Sequence, residues 1–287
     1  MGFRTIVRSS AGPMDEAHIV HGLLGPDGES SVEDSAGARG SFAARLRRAV
    51  DRALDRASIV DDRTDPVIAA EFEGIYRKCR DFSATSLERM YGLYQGVRYV
   101  LNSGIPGDFV ECGVGRGGSS MAMALTLLEA RAVDRTIYLY DTFEGMTAPT
   151  SVDVATDSGR SANALWPSTR RPGGSRWDYS PIEEVRRNLA GTGYPDDKLR
   201  FVKGPVEQTI PGTVPEKIAL LRLDTDWYES TRHELHHLYP LLEPAGVLIV
   251  DDYGHWAGAR RAVDEYFAAR PILLNRLDYT GRIGVKR

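Results

Sequence analysis

Residues Asp108–Ser120 read DFVECGVGRGGSS. A short run of strand-forming residues passes into a glycine-dense turn, and small residues then open a helical stretch over Ser119–Ala130. Gly113, Gly115 and Gly118 satisfy G-x-G-x-x-G between strand and helix, the context that gives this pattern meaning. Glycines at such a turn let the backbone reverse tightly and let a ligand approach the peptide groups closely. By itself the motif implies a nucleotide-like cofactor, since dinucleotide enzymes and methyltransferases share it.

Downstream, apolar segments alternate with amphipathic ones. Strands are predicted at Asp108–Cys112, Thr136–Asp141, Leu199–Lys203, Ile218–Asp224 and Val247–Asp251. Helices are predicted near Ser119–Ala130, Pro181–Ala190, Thr231–Leu242 and Ala257–Ala269. This alternation, with apolar β-branched strands, predicts an α/β fold built on a mostly parallel sheet covered on both faces. Ser180-Pro-Ile-Glu183 and the pair Thr231/Glu234 have the spacing of helix-start capping boxes. Ile272–Leu277 and Arg282–Lys286 read as a β-hairpin closing the sheet. Met146–Tyr179 breaks the rhythm. It is a long polar insertion carrying Trp166, Trp177, Arg170, Arg171 and Arg176, and is expected to act as a lid.

Upstream, Leu87, Met90, Tyr91, Tyr94, Val97 and Leu101 form a helical stripe within Ser86–Leu101. Leu46, Val50 and Leu54 do the same within Ser41–Ala57, where Asp51 and Asp55 interrupt the basic face and favour solvent over a membrane surface. Gly25–Gly40 has no large apolar residue except Val32 and cannot bury enough surface to order itself. The expected organisation is a flexible segment over 1–40, a helical region over 41–103, and a ligand-binding domain over 104–287 with its lid at 146–179.

At 287 residues with 42% hydrophobic and 26% charged side chains, the chain has globular composition, which excludes a disordered, collagen-like or coiled-coil protein. Lys and Arg number 36 against 40 Asp and Glu, a net charge of −4 that gives no grip on nucleic acid or anionic lipid. Cys79 and Cys112 cannot build a disulfide framework, no apolar run reaches spanning length, and the N-terminus has no secretory pattern. The expectation is a soluble, cytoplasmic homo-oligomer that acts on a small molecule, with no nucleic-acid or membrane partner.

Carboxylates mark the strand ends. Asp141 ends the second predicted strand beside the glycine turn, where a carboxylate can accept both hydrogens of a ribose diol. Asp224-Thr-Asp226 and Asp251-Asp252 end the fourth and fifth strands, and ligands of open α/β sheets bind outside these ends. Four converging carboxylates raise one another's pKa unless a cation sits among them, and oxygen-only donors select Mg²⁺, Mn²⁺ or Ca²⁺ over zinc. His233-Glu234-Leu-His-His237 matches the zinc-protease pattern H-E-x-x-H but has no third ligand downstream, so zinc is not expected there.

Together these residues resemble the macrocin-type (TylF) family of S-adenosylmethionine- and Mg²⁺-dependent sugar O-methyltransferases, over roughly Asp81–Gly281. The matching pieces are Gly104–Val114 with Arg116-Gly-Gly118, Asp141–Gly145, Leu223–Thr231, Leu238-Tyr-Pro240 and Val250–Gly254. Gly115 departs from the tryptophan often found in relatives.

The resemblance implies a Rossmann-like methyltransferase fold with a seven-stranded sheet. It implies that Glu111, Gly113, Gly115, Gly117, Gly118 and Ser119 hold the methionine part of the cofactor, Glu111 facing its ammonium, while Asp141 holds the ribose. It implies Asp224, Asp251 and Asp252 as Mg²⁺ ligands, Asp226 as general base with Asp224 as a possible sharer of that role, and Ser86 and Met90 as cofactor contacts. The implied reaction is methylation of a deoxysugar hydroxyl on a glycosylated natural product in antibiotic tailoring. Three alternatives stay open on the sequence. They are a nicotinamide-dependent oxidoreductase using the same glycine turn and Asp141, a nucleotide-sugar glycosyltransferase using Asp224-Thr-Asp226, and a non-catalytic binding module, while within the methyltransferase reading a catechol-like hydroxyl is the other acceptor.

Overall fold

The structure, a computed structural model, describes residues 70–287. The expectations for Gly25–Gly40, for Ser41–Ala57 and for a boundary at residue 40 lie outside the described residues. In chain order the main elements are α1 (Ala70–Cys79), α2 (Leu87–Asn102), β1 (Asp108–Cys112), α3 (Gly118–Glu129) and β2 (Ile137–Asp141). The insertion then contributes α4 (Ala162–Thr169), β3 (Arg170–Arg171) and β4 (Gly174–Ser175). They are followed by α5 (Ile182–Ala190), β5 (Leu199–Lys203), α6 (Val206–Thr209), β6 (Ile218–Leu223) and α7 (Tyr228–Leu238). β7 (Leu242–Val250), α8 (Ala257–Phe267), β8 (Asn275–Arg276) and β9 (Arg282–Val285) complete the chain.

Seven strands form one sheet in the order β5-β2-β1-β6-β7-β9-β8. The pairs among β5, β2, β1, β6 and β7 are parallel, and β9 runs antiparallel to both β7 and β8. This is the expected sheet with its closing hairpin. Side chains alternate faces along each strand. Phe109, Leu139, Leu220 and Ile249 pack with helices α1, α2 and α3 on one side. Val110, Tyr140, Leu221 and Val250 pack with Leu235, Leu238, Val263 and Phe267 of α7 and α8 on the other. Both faces are therefore dry, as a parallel sheet requires. Among the described residues no helix is long and apolar enough to cross a membrane.

Two local expectations need correction. α5 begins after Pro181 with no side-chain cap bond, so Ser180 and Glu183 form no capping box. α7 begins at Tyr228, three residues before Thr231, so Thr231 and Glu234 are buried interior residues and not a cap. The insertion expected as a lid is docked against the rest of the domain in this structure. The main-chain N–H of Thr156 donates to the His255 carbonyl (2.8 Å) and that of Ala257 to the Val154 carbonyl (2.9 Å). Trp177 packs edge-on against Trp227 with ring centroids 5.5 Å apart, and Trp227 packs likewise on Trp256 at 5.0 Å. A polar composition concealed this, because a few buried side chains (Asp153, Ala155, Ala162, Ser175) suffice to dock the segment.

Candidate active site

Parallel pairing brings the C-terminal ends of β1, β6 and β7 side by side. The main-chain N–H of Asp224 donates to the Cys112 carbonyl (2.8 Å), and that of Asp251 to the Leu223 carbonyl (2.9 Å). The glycine turn thus lies directly against the Asp224–Asp226 loop. Gly113 has φ +82°, and a Cβ there would overlap the Asp224 carbonyl oxygen, so only glycine lets the two loops touch.

One carboxylate oxygen from each of Asp224, Asp251 and Asp252 lies within 4.8 Å of the others. Asp226 joins them from a left-handed backbone conformation (φ +66°). Its N–H donates to an Asp252 carboxylate oxygen (3.2 Å), and the two carboxyl groups also hydrogen-bond to each other. Arg222 is fully buried beneath this cluster. Its guanidinium donates to Glu111 Oε1 (2.7 Å), Asp224 Oδ2 (2.7 Å) and Asp251 Oδ1 (2.6 Å). Arg89 donates to the other Asp251 oxygen and to Asp278 (2.9 Å). Arg89 and Arg222 thus pair with Glu111, Asp224, Asp251 and Asp278, and Asp226 and Asp252 add two further carboxyl groups to the cluster. Burial, reinforced by neighbouring carboxylates, pushes the pKa values of Asp224, Asp226 and Asp252 well above the ordinary carboxylate range.

Such a surplus of buried acid is what a bound cation would relieve. Three hard oxygen donors on two adjacent strand ends suit Mg²⁺, Mn²⁺ or Ca²⁺ by donor chemistry. Asp224 keeps Oδ1, and Asp252 one oxygen, clear of the guanidiniums. The arginines occupy both oxygens of Asp251, so an ion there would have to share them.

On the cofactor side the structure redistributes several expected roles. The Asp141 carboxylate accepts the N–H groups of Val114 (2.7 Å) and Gly115 (3.1 Å) on one oxygen and that of Phe143 (2.7 Å) on the other. It splices the glycine turn to the end of β2, and a ribose diol would find only part of its acceptor capacity free. Glu111 is fully buried with its oxygens taken by Arg222 and Ser120, so its carboxylate anchors Arg222 and has no free face for an ammonium. Met90, a cofactor contact by the family resemblance, is fully buried in the core with Leu93 and Val97.

Ser86 caps α2, accepting from the Arg89 N–H (3.2 Å) and donating to Asp278 (2.8 Å), so it serves the arginine network. Gly117 is the left-handed residue before α3, Gly118 packs on Phe82 and Ser83, and Ser119 is buried in the first turn. Gly115 faces open space, where a ligand could lie.

Sequence reasoning missed Arg222 and Asp153. A charged residue inside the apolar run Ile218–Leu223 was the available signal for Arg222. Nothing local marked Asp153, whose partner lies 75 positions away. The H-E-x-x-H segment is not a metal site. His233 pairs with the Ile210 carbonyl (2.9 Å), and Glu234 turns inward to accept the Thr225 hydroxyl (2.9 Å).

The family model described as macrocin-O-methyltransferase (TylF) matches residues 77–283. The chain is 38% identical over 197 residues to the 8-demethyl-8-(2,3-dimethoxy-alpha-L-rhamnosyl)-tetracenomycin-C 4'-O-methyltransferase of Streptomyces olivaceus, covering 68% of this chain and 72% of that protein. It is 35% identical over 201 residues to the demethyldecarbamoylnovobiocin O-methyltransferase of Streptomyces niveus, covering 68% and 73%. Among solved structures, the O-methyltransferase NovP superposes with a TM-score of 0.61 at 32% identity, covering 71% of this chain and 82% of that one.

Proposed function

Because the chain belongs to the macrocin O-methyltransferase (TylF) family, and is therefore an O-methyltransferase, we propose that it methylates a sugar hydroxyl of a glycosylated natural product. The donor is S-adenosylmethionine, and Asp224, Asp251 and Asp252 hold Mg²⁺. The acid-rich cluster beside the glycine turn carries this reading. It supplies an oxygen donor set, a nearby carboxyl group without a guanidinium partner among the described residues, and a cofactor turn in one place.

When bound, the cofactor supplies a methyl carbon on a cationic sulfur, and the ion supplies positive charge that eases deprotonation of a sugar hydroxyl. Methyl transfer is an in-line displacement, so the protein's main task is alignment. The turn Gly113–Gly118, held by Asp141, shapes the donor's seat. Asp226 takes the hydroxyl proton on a carboxylate oxygen. Its raised pKa makes it a stronger base than an ordinary aspartate once it is ionised. Asp224 is less suited to that task because Arg222 holds its Oδ2 at 2.7 Å. Arg222 keeps Asp224 and Asp251 in register across the two strand ends. Glu111 and Ser86 act one step back, holding Arg222 and the Arg89–Asp278 pair.

Transfer of a radiolabelled methyl group to glycosylated macrolides, aminocoumarins and polyketides tests the assignment. Label is expected in glycosylated acceptors and absent from the matching aglycones. Preferential labelling of aglycones or catechols would overturn the sugar assignment.

A further inference from the structure

Asp153 sits where three pieces of chain meet. It is fully buried, and it comes from the insertion. Its Oδ2 accepts the N–H (2.6 Å) and hydroxyl (2.7 Å) of Thr150. Its Oδ1 crosses to the Tyr228 N–H (2.8 Å). Tyr228 is the first residue of α7, two positions after Asp226, and Trp227 before it supplies no side-chain cap. The helix start would otherwise leave a buried donor unsatisfied. A carboxylate at this positive helix end is favoured by both charge and hydrogen bonding. The third piece is the first turn of α8, just beyond Asp251-Asp252. A Cβ at Gly258 would overlap Asp153 Oδ1, so glycine is needed for the carboxylate to pass. The neighbouring backbone is stitched to the same turn, with Ala155 bridged to Trp256.

The loop from Asp224 to Trp227 is short, and Asp226 is held in a conformation that an aspartate rarely adopts. Such a residue stays in place only when its surroundings over-determine it. Upstream, the loop is held by Thr225 on Glu234 and by the Asp224 N–H on Cys112. At Asp226 itself the N–H is held by Asp252, and downstream the loop is held by the Trp227 indole N–H on the Thr147 carbonyl (3.0 Å), by that ring's packing on Trp177 and Trp256, and at the helix start by the Asp153–Tyr228 bond. We propose that Asp153 is a positioning residue for catalysis. Through the Tyr228 N–H it sets where the Asp226 carboxyl stands relative to Asp252, without touching substrate or cofactor. This rests on the reading of Asp226 as the base.

The test compares kcat, acceptor KM, S-adenosylhomocysteine affinity and Tm across a set of variants, with Asp226→Asn as the reference lacking the base. Asp153→Ala removes the cap, and misplacing a reacting group by about 1 Å from a distance can cost about 100-fold, so kcat is expected to fall roughly 10- to 100-fold. Affinity for S-adenosylhomocysteine should stay within about threefold, because nothing at the glycine turn changes. Tyr228→Pro deletes the N–H donor and also the ring, whose hydroxyl donates to Glu265 (2.7 Å) and over which Arg232 and Arg261 lie, so it is read against Tyr228→Ala, which loses the ring and keeps the N–H. Proline is accepted at a helix's first position, and Trp227 already has the extended backbone (φ −91°, ψ 156°) that a following proline requires. It should reproduce the kcat loss even if Asp153→Ala fails to fold. Asp153→Asn keeps one acceptor for Tyr228 and should recover much of the rate. Thr150→Val loosens the insertion but leaves the cap, so it should lower Tm while keeping kcat within about threefold.

The proposal is overturned if Tyr228→Pro and Asp153→Ala keep kcat within about threefold of the parent while Asp226→Asn is inactive. It is equally overturned if Thr150→Val loses as much kcat as Asp153→Ala, because tethering of the insertion alone would then explain the effect. Full activity in Asp226→Asn would instead remove the base reading itself.

Discussion

Asp226→Asn is expected to lower kcat by roughly 10²- to 10⁴-fold, the range over which a positioned proton acceptor contributes. Asparagine keeps the size of the side chain and tolerates the left-handed backbone conformation that Asp226 adopts at φ +66°. The fold should therefore survive. Tm should hold or rise, because the substitution removes one of two carboxyl groups pressed together at Asp226 and Asp252. Affinity for S-adenosylhomocysteine should stay within about threefold, since the glycine turn and Asp141 are untouched. A stable variant that binds cofactor and does not turn over is the signature of a missing base. Kinetics on the purified variant, paired with calorimetry, check it. A kcat within tenfold of the parent would move the base elsewhere, with Asp224 next in line.

Arg222→Leu is expected to have the largest effect on stability. The guanidinium is fully buried and donates to Glu111, Asp224 and Asp251 at 2.6–2.7 Å, with Thr85 a fourth partner at 3.2 Å. Removing one partner of a buried ion pair costs about 3–5 kcal/mol, because the other charge is left without compensation. That is a large part of the roughly 5–15 kcal/mol that holds a typical domain together. For a domain of this size, each kcal/mol shifts Tm by about 2–4 °C, so a fall of roughly 10 °C is expected.

The pH dependence has a definite sign. Burial raises the native pKa values of Glu111 and Asp224 even with the arginine present, and its loss raises them further. A carboxyl whose native pKa lies above its unfolded value contributes stability at low pH. That contribution is lost as pH rises through the native pKa. The deficit of Arg222→Leu against the parent should therefore be smallest in acid, below the parent's raised native pKa values, and grow as pH rises through them. Thermal unfolding of both proteins across that range measures it. A deficit that does not change with pH would mean Arg222 acts by packing and not by charge.

The sheet was legible because a parallel sheet buries both faces. β1 (DFVEC), β5 (LRFVK) and β6 (IALLRL) each carry a short apolar stretch, and the predicted bounds of β1 and β5 coincide with the observed ones. The convergence of Asp224, Asp226, Asp251 and Asp252 followed from the rule that places ligands at strand ends, and the structure brings all four together. What local patterns could not convey was the answer each polar group finds far away in the chain. Thr231 and Glu234 have capping-box spacing, yet α7 starts earlier, capped by Asp153 from the insertion. Met90 lies in a helical stripe, and the burial that such a stripe reports is what the structure shows. Glu111 stands beside the glycine turn in sequence, but pairing of β1 with β6 sets Glu111 opposite Arg222, and the guanidinium takes its carboxylate.

The decisive measurement is methyl transfer to a glycosylated acceptor after the protein has been stripped with excess EDTA. Activity should disappear and return when Mg²⁺ is added back beyond the chelator, as the proposed assignment of Asp224, Asp251 and Asp252 to a divalent ion requires. Undiminished turnover in the chelated protein would contradict the assignment of Asp224, Asp251 and Asp252 to a metal.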